Sequence, residues 1–164
     1  MEFTVGIGEM AVGKGFDDTI KTFSLASCLG VVMYAPQIHT MAMAHMLLPS
    51  SLNHPAEAAV KPARYVDTGI DALVHLFQNR LGIERKALKV SVFGGAEAGL
   101  CSHYNVSERN IEAARAILKK YGMKTERMEV GGHFARTLTG YSKDGYIQVT
   151  AVQMGKHHSI SKKG

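Results

Sequence analysis

The chain has 164 residues, 46% of them hydrophobic and 20% charged, with a net charge of +5, a pI near 9.3 and two cysteines. This suits a single domain with one sizeable core. Two cysteines exclude a disulfide framework, and no apolar run reaches the length of a membrane span. The opening MEFTVGIGEM carries Glu2 and Glu9 and lacks the basic flank and apolar block of a signal peptide, so a cytoplasmic protein with reduced thiols is expected.

In chain order, FTVGI reads as a short strand. GEMAVGKG (8–15) comes close to a phosphate-binding loop but ends in Gly15, without the hydroxyl that magnesium needs. It is read as a glycine-rich turn between strands. LGVVMY (29–34) and TMAMAHM (40–46) read as two strands joined by APQI. Residues 67–81 carry Ile70, Leu73, Val74, Phe77 and Leu81 at helical spacing, with Asp67 or Thr68 as a cap and Gly82 after the end. ALKVSVF (87–93) is a buried-strand pattern ending at Gly94-Gly95. A second helix is expected over about Glu108 to Tyr121, capped by Ser107 and stopped by Gly122, with Ile111, Ala114, Leu118 and Tyr121 as its stripe. FARTLTGY and YIQVTAV then read as a hairpin around SKDG. Strands outnumber helices and several adjoin in sequence, which argues for α+β with helices covering sheet. Residues 1–155 are read as one domain, and 156–164, with Lys156, Lys162 and Lys163, as a flexible basic tail.

Cys28 stands inside SLASCLGVVMYA, an apolar run in which packing is the default role for a thiol. A four-residue loop Ala35–Ile38 between the two strands sets Tyr34 opposite His39 and, following the ladder back, Cys28 opposite His45. A slip of one residue turns the imidazole to the other face. Thr22 lies six residues before Cys28, an even separation that keeps both on one face of an extended chain. A thiol, an imidazole and a hydroxyl then form a nucleophile, base and orienter, in which an imidazolium stabilises the thiolate. Gly30 on the same face is read as leaving space for substrate, and backbone N–H groups around Cys28 as holding an oxyanion.

TFSLASCLGVVMY followed by MAMAHMLLP resembles the signature of the CheD family of chemoreceptor glutamine deamidases, and RYVDTGI, FGGAEAG, NVSERNIEAARAIL and VGGHFART continue the match from about Gly6 to Val149. The resemblance implies a layered α/β/β fold shared with bacterial toxin deamidases, and a catalytic Cys, His and Thr at Cys28, His45 and Thr22. It implies conversion of receptor glutamines to glutamate, hydrolysis of receptor glutamate methyl esters, and, in some bacteria, pairing with a CheC-type phosphatase. No metal or organic cofactor is called for, and a monomer suffices. Two features depart from the family pattern: Ser24 and Ala26 stand where glycines are common, and His133 where Asn often follows the second Gly-Gly.

Other signals carry less. None of the eight histidines sits in a metal-ligand spacing; His39 lies at a loop end, His54 in a loop, His75 on a helix face, and His157-His158 in the tail. Cys101 and His103 lack an ordering third member. Arg136 reads as a solvated strand charge and the methionines as core filler. Charge alone favours an acidic partner without any nucleic-acid motif, so neither nucleic acid nor membrane insertion is expected. The competing class is a non-catalytic binding module that docks on a receptor or on its phosphatase partner.

Overall fold

The computed structural model describes residues 1–97 and 105–154. The expectations for Cys101, His103, His157, His158 and the basic tail lie outside the described residues. The strands are β1 (Glu2–Thr4), β2 (Met10–Lys14), β3 (Thr19–Leu25), β4 (Leu29–Ala35), β5 (Thr40–Met46), β6 (Lys89–Gly94), β7 (Thr125–Val130), β8 (Phe134–Tyr141) and β9 (Ile147–Gln153). The α-helices are α1 (Pro55–Val60), α2 (Val66–His75) and α3 (Val106–Lys120). No helix among the described residues is long and apolar enough to cross a membrane.

The strands form two sheets, ordered β1-β3-β8-β9 and β2-β5-β4-β6-β7. Helices and sheets make three layers. One core, including Val31, Met33, Ala42, Ala44, Ile70, Leu73, Phe77 and Leu118, lies between the five-stranded sheet and α2 and α3. The other, including Ile20, Leu25, Val32, Met41, Met43, Phe93 and Leu138, lies between the two sheets. Strands β4 and β5 are therefore buried on both faces, which is why they read as continuous apolar runs rather than alternating ones. The mixed α/β architecture agrees with the expectation of helices covering sheet.

Several local expectations are corrected. GEMAVGKG is not a turn: Met10–Lys14 pairs antiparallel with β5, and the chain then turns into β3 rather than opening a helix. The helix expected over 67–81 runs as α2 to His75 and continues as a π-helical stretch, Leu76–Arg80. Ser107 does not cap α3. Asn105 takes the cap position at φ 45°, and Ser107 Oγ donates from inside the first turn to the Ala96 carbonyl.

The β4–β5 register also differs. Ala35 pairs with Thr40, Tyr34 with Met41 and Gly30 with His45, in place of Tyr34 with His39 and Cys28 with His45. Pro36 opens a 3-10 turn over Pro36–Ile38 and His39 closes it in the left-handed region, so the loop is 36–39 instead of 35–38. Moving the loop by one residue shifts every cross-strand pair by two. An even shift preserves faces. Met41, Met43 and Cys28 accordingly share the inter-sheet core, while Leu29 and Met46 face the helices.

Candidate active site

Thr22 and His45 come from different sheets. Thr22 is fully buried on β3 and His45, 3% exposed, projects from β5. Thr22 Oγ1 lies 2.7 Å from His45 Nδ1 and also donates to the Val5 carbonyl at 2.7 Å. A hydroxyl has one proton, and a carbonyl only accepts. The proton therefore goes to Val5, and His45 Nδ1 must carry the hydrogen that it donates to Thr22. Nε2 is left with its lone pair, as a base requires.

Cys28 is buried in the same inter-sheet cluster, one residue before β4 and beyond the last ladder pair, Leu29 with Met46. It does not share a strand face with Thr22 as expected. The chain leaves one sheet at Leu25 and enters the other at Leu29, so Cys28 lies in the crossing between the sheets. A bulge lies between Thr22 and Leu25, where Ser24 adopts φ 52°. Left-handed backbone is what glycine takes most readily, so a side chain at this position is strained. Ala26 is not in that region.

Burial pushes the Cys28 thiol up, opposed by its own backbone N–H, and pushes the His45 imidazole down. Both directions favour the neutral forms. No hydrogen bond joins Cys28 to His45 among the described residues. Such bonds commonly tighten only when substrate binds.

The Cys28 segment is held through its carbonyls. Ala26 O accepts from Ala96 N at 2.7 Å, and Cys28 O accepts from Gly95 N at 3.0 Å. Gly94 has φ 109°, and a Cβ on it would stand 2.2 Å from Cys28 O, so only glycine fits this crossing. Arg136 is more than a solvated charge: its Nη1 donates to Gly94 O at 3.3 Å. His133 Nδ1 donates to Glu97 O at 2.9 Å, at the end of the 94–97 strap that holds the Cys28 segment. Gly30 does not leave space for substrate. A Cβ there would lie 2.8 Å from both Leu25 and Leu138, so its smallness serves sheet packing.

A cleft of about 700 Å³ between β2, α1 and α2 includes His75, Asp71 and Arg80 but lies across the five-stranded sheet from His45. A smaller one, about 380 Å³, borders the strap at Gly95, Glu97, Gly132 and His133. Among the described residues no three His, Cys, Asp or Glu side chains converge as a metal site. His39 bonds to the Lys143 carbonyl and His54 stacks on Tyr65.

Residues 47–151 match the family described as CheD chemotactic sensory transduction. The probable chemoreceptor glutamine deamidase CheD of Archaeoglobus fulgidus is 33% identical over 153 residues, covering 90% of this chain and 92% of that protein. The chemoreceptor glutamine deamidase CheD of Thermotoga maritima is 33% identical over 162 residues, covering 99% of each. The solved Bacillus licheniformis hypothetical protein YfiH is 12% identical with a TM-score of 0.48, covering 74% of this chain and 49% of that one. This chain belongs to the CheD family.

Proposed function

We propose that this chain deamidates glutamine side chains on chemoreceptors by covalent catalysis, with Cys28 as nucleophile, His45 as base and acid, and Thr22 as orienter. The observation that carries the reading is the Val5–Thr22–His45 hydrogen-bond chain, which leaves Nε2 with its lone pair, and Cys28 is buried between the same two sheets. Family membership supplies the reaction class.

His45 Nε2 takes the thiol proton as Sγ attacks the carboxamide carbon. The carbonyl oxygen becomes an oxyanion, for which the Cys28 N–H is the nearest backbone donor in sequence. On collapse the C–N bond breaks, His45 returns the proton to the departing nitrogen, and ammonia leaves a thioester. His45 then takes a proton from water, whose oxygen attacks the thioester. The C–S bond breaks, His45 returns that proton to the sulfur, and glutamate leaves with the thiol restored. One water is consumed and one ammonia released. A glutamate methyl ester follows the same path with methanol as the leaving group. No metal or cofactor enters this scheme.

The enzyme is proposed to work in the cytoplasm as a monomer of one domain over residues 1–155, with the layered arrangement common to toxin deamidases. A CheC-type phosphatase is its proposed partner in regulation.

The test incubates the protein with receptor cytoplasmic fragments and follows conversion of glutamine to glutamate by mass spectrometry, with Cys28→Ala as control. Conversion by the wild type alone is expected. Conversion that persists in Cys28→Ala rejects the nucleophile, and none by the wild type on any cognate receptor favours the binding-module reading.

A further inference from the structure

Asn110 sits in the apolar stripe of α3, four residues before Ala114 and eight before Leu118, and is fully buried. Its Nδ2 donates to Ser27 O at 2.9 Å and to Leu47 O at 3.1 Å. Two carbonyls can only accept, so the amide orientation is fixed with NH2 toward them. Its Oδ1 is buried with no partner. Leucine would fill the same stripe but leave the Ser27 and Leu47 carbonyls without this donor, so the asparagine is there for its amide rather than for packing.

The two carbonyls lie just past the last β4–β5 pair, Leu29 with Met46, where the ladder can no longer hold the strands. One belongs to the residue before Cys28 and the other to the second residue after His45. The Ser27 carbonyl and the Cys28 N–H share one planar peptide and point in opposite directions. Fixing the carbonyl therefore fixes where that N–H points. The same N–H opposes the rise that burial causes in the Cys28 thiol.

We infer that Asn110 is a positioning residue for the deamidation reaction: it clips the end of β4 to the end of β5 and aims the Cys28 N–H at the reacting sulfur and the oxyanion. The inference rests on the reading of Cys28 as nucleophile. It goes beyond that reading by assigning a helix side chain, from the opposite face of the sheet, to the alignment of the nucleophile.

Asn110→Ala is compared with wild type for kcat and KM on a receptor cytoplasmic fragment, and for the pH dependence of Cys28 alkylation by iodoacetamide. Ser142→Ala serves as a structural control. That serine is also buried and donates to backbone carbonyls, Gly15 O and Asp18 O, away from the site. The expected result is a kcat lower by roughly 10- to 100-fold with KM within about twofold, and an alkylation midpoint moved to higher pH. Ser142→Ala is expected to change neither. If Asn110→Ala does not fold, Asn110→Asp carries the same readouts: it keeps the shape but has at most one proton for two carbonyls. A kcat within about twofold of wild type in the folded variant, with Cys28→Ala inactive, overturns the positioning role alone. An active Cys28→Ala overturns the nucleophile, and the positioning role with it.

Discussion

Thr22 and His45 meet at 2.7 Å across the gap between two sheets, and Thr22 spends its only proton on Val5. The imidazole therefore has a single tautomer compatible with its surroundings. Thr22→Val keeps the shape and removes the acceptor of the Nδ1 proton. Deamidation is expected to slow on the order of 100-fold, because Nε2 loses its fixed role. Leaving Val5 O and Nδ1 unpaired costs about 1–3 kcal/mol of stability in a denaturant titration. Thr22→Ser is expected to retain most of both. Equal rates for the valine and serine variants would contradict the orienting role.

The neutral pair predicts how stability depends on pH. The folded His45 pKa lies below its unfolded value, so its contribution is complete above about 6.5 and is lost as pH falls from there through the lower folded value. The folded Cys28 pKa lies above its unfolded value, so its contribution is complete below about 8.5 and is lost as pH rises from there through the higher folded value. Urea midpoints are expected to be flattest between these limits. Cys28→Ala is expected to fall less steeply on the alkaline side and His45→Gln less steeply on the acid side. Profiles parallel to wild type in both variants would contradict the directions.

Ser24 carries a left-handed backbone at φ 52° in the bulge of β3. Its N–H donates to Thr137 Oγ1 at 3.1 Å, a bond that glycine retains. Ser24→Gly is expected to stabilise by about 0.5–1 kcal/mol, the left-handed strain relieved less the entropy glycine adds to the unfolded chain. A thermal midpoint higher by about 1–4 °C checks this. A lower midpoint would mean that the serine hydroxyl contributes more than the strain costs.

The same geometry explains what was legible in the sequence. The apolar runs of β4 and β5 stand out because both faces are buried, and the loop misplaced by one residue gives His45 the wrong partner, Cys28 for Gly30, without changing the face expected for either. Even spacing puts Thr22 and Cys28 on one face of an extended chain, whereas a bulge and a crossing between sheets separate them, which spacing does not encode. Edge and half-buried strands are hard to read: half of TERMEV in β7 is charged, and β2 hides in a glycine-rich stretch that mimics a phosphate loop. Asn110 and Gly94 carry no sequence mark of their own. One is a polar residue in an apolar stripe, the other half of a Gly-Gly pair, and each acquires its role only when a distant carbonyl is brought against it.

Gly94→Ala tests the strap. Its Cβ would meet Cys28 O at 2.2 Å on a backbone of φ 109°, so either Cys28 or β6 must move. A loss of at least about 2 kcal/mol is expected, with deamidation lost in the fraction that remains folded. Gly15→Ala is the control: it shares a positive φ, 73°, but a Cβ there meets nothing within 4 Å, so it is expected to lose stability through strain alone and keep its rate.

The thioester is the most direct test of the central claim. A receptor peptide bearing one substrate glutamine is mixed with enzyme, quenched in acid within a turnover, digested and analysed by mass spectrometry. The account predicts an adduct on Cys28 with the mass of the peptide less one ammonia, absent in Cys28→Ala. Deamidated product appearing while Cys28 carries no adduct at any quench time, and at an undiminished rate in Cys28→Ala, would contradict it.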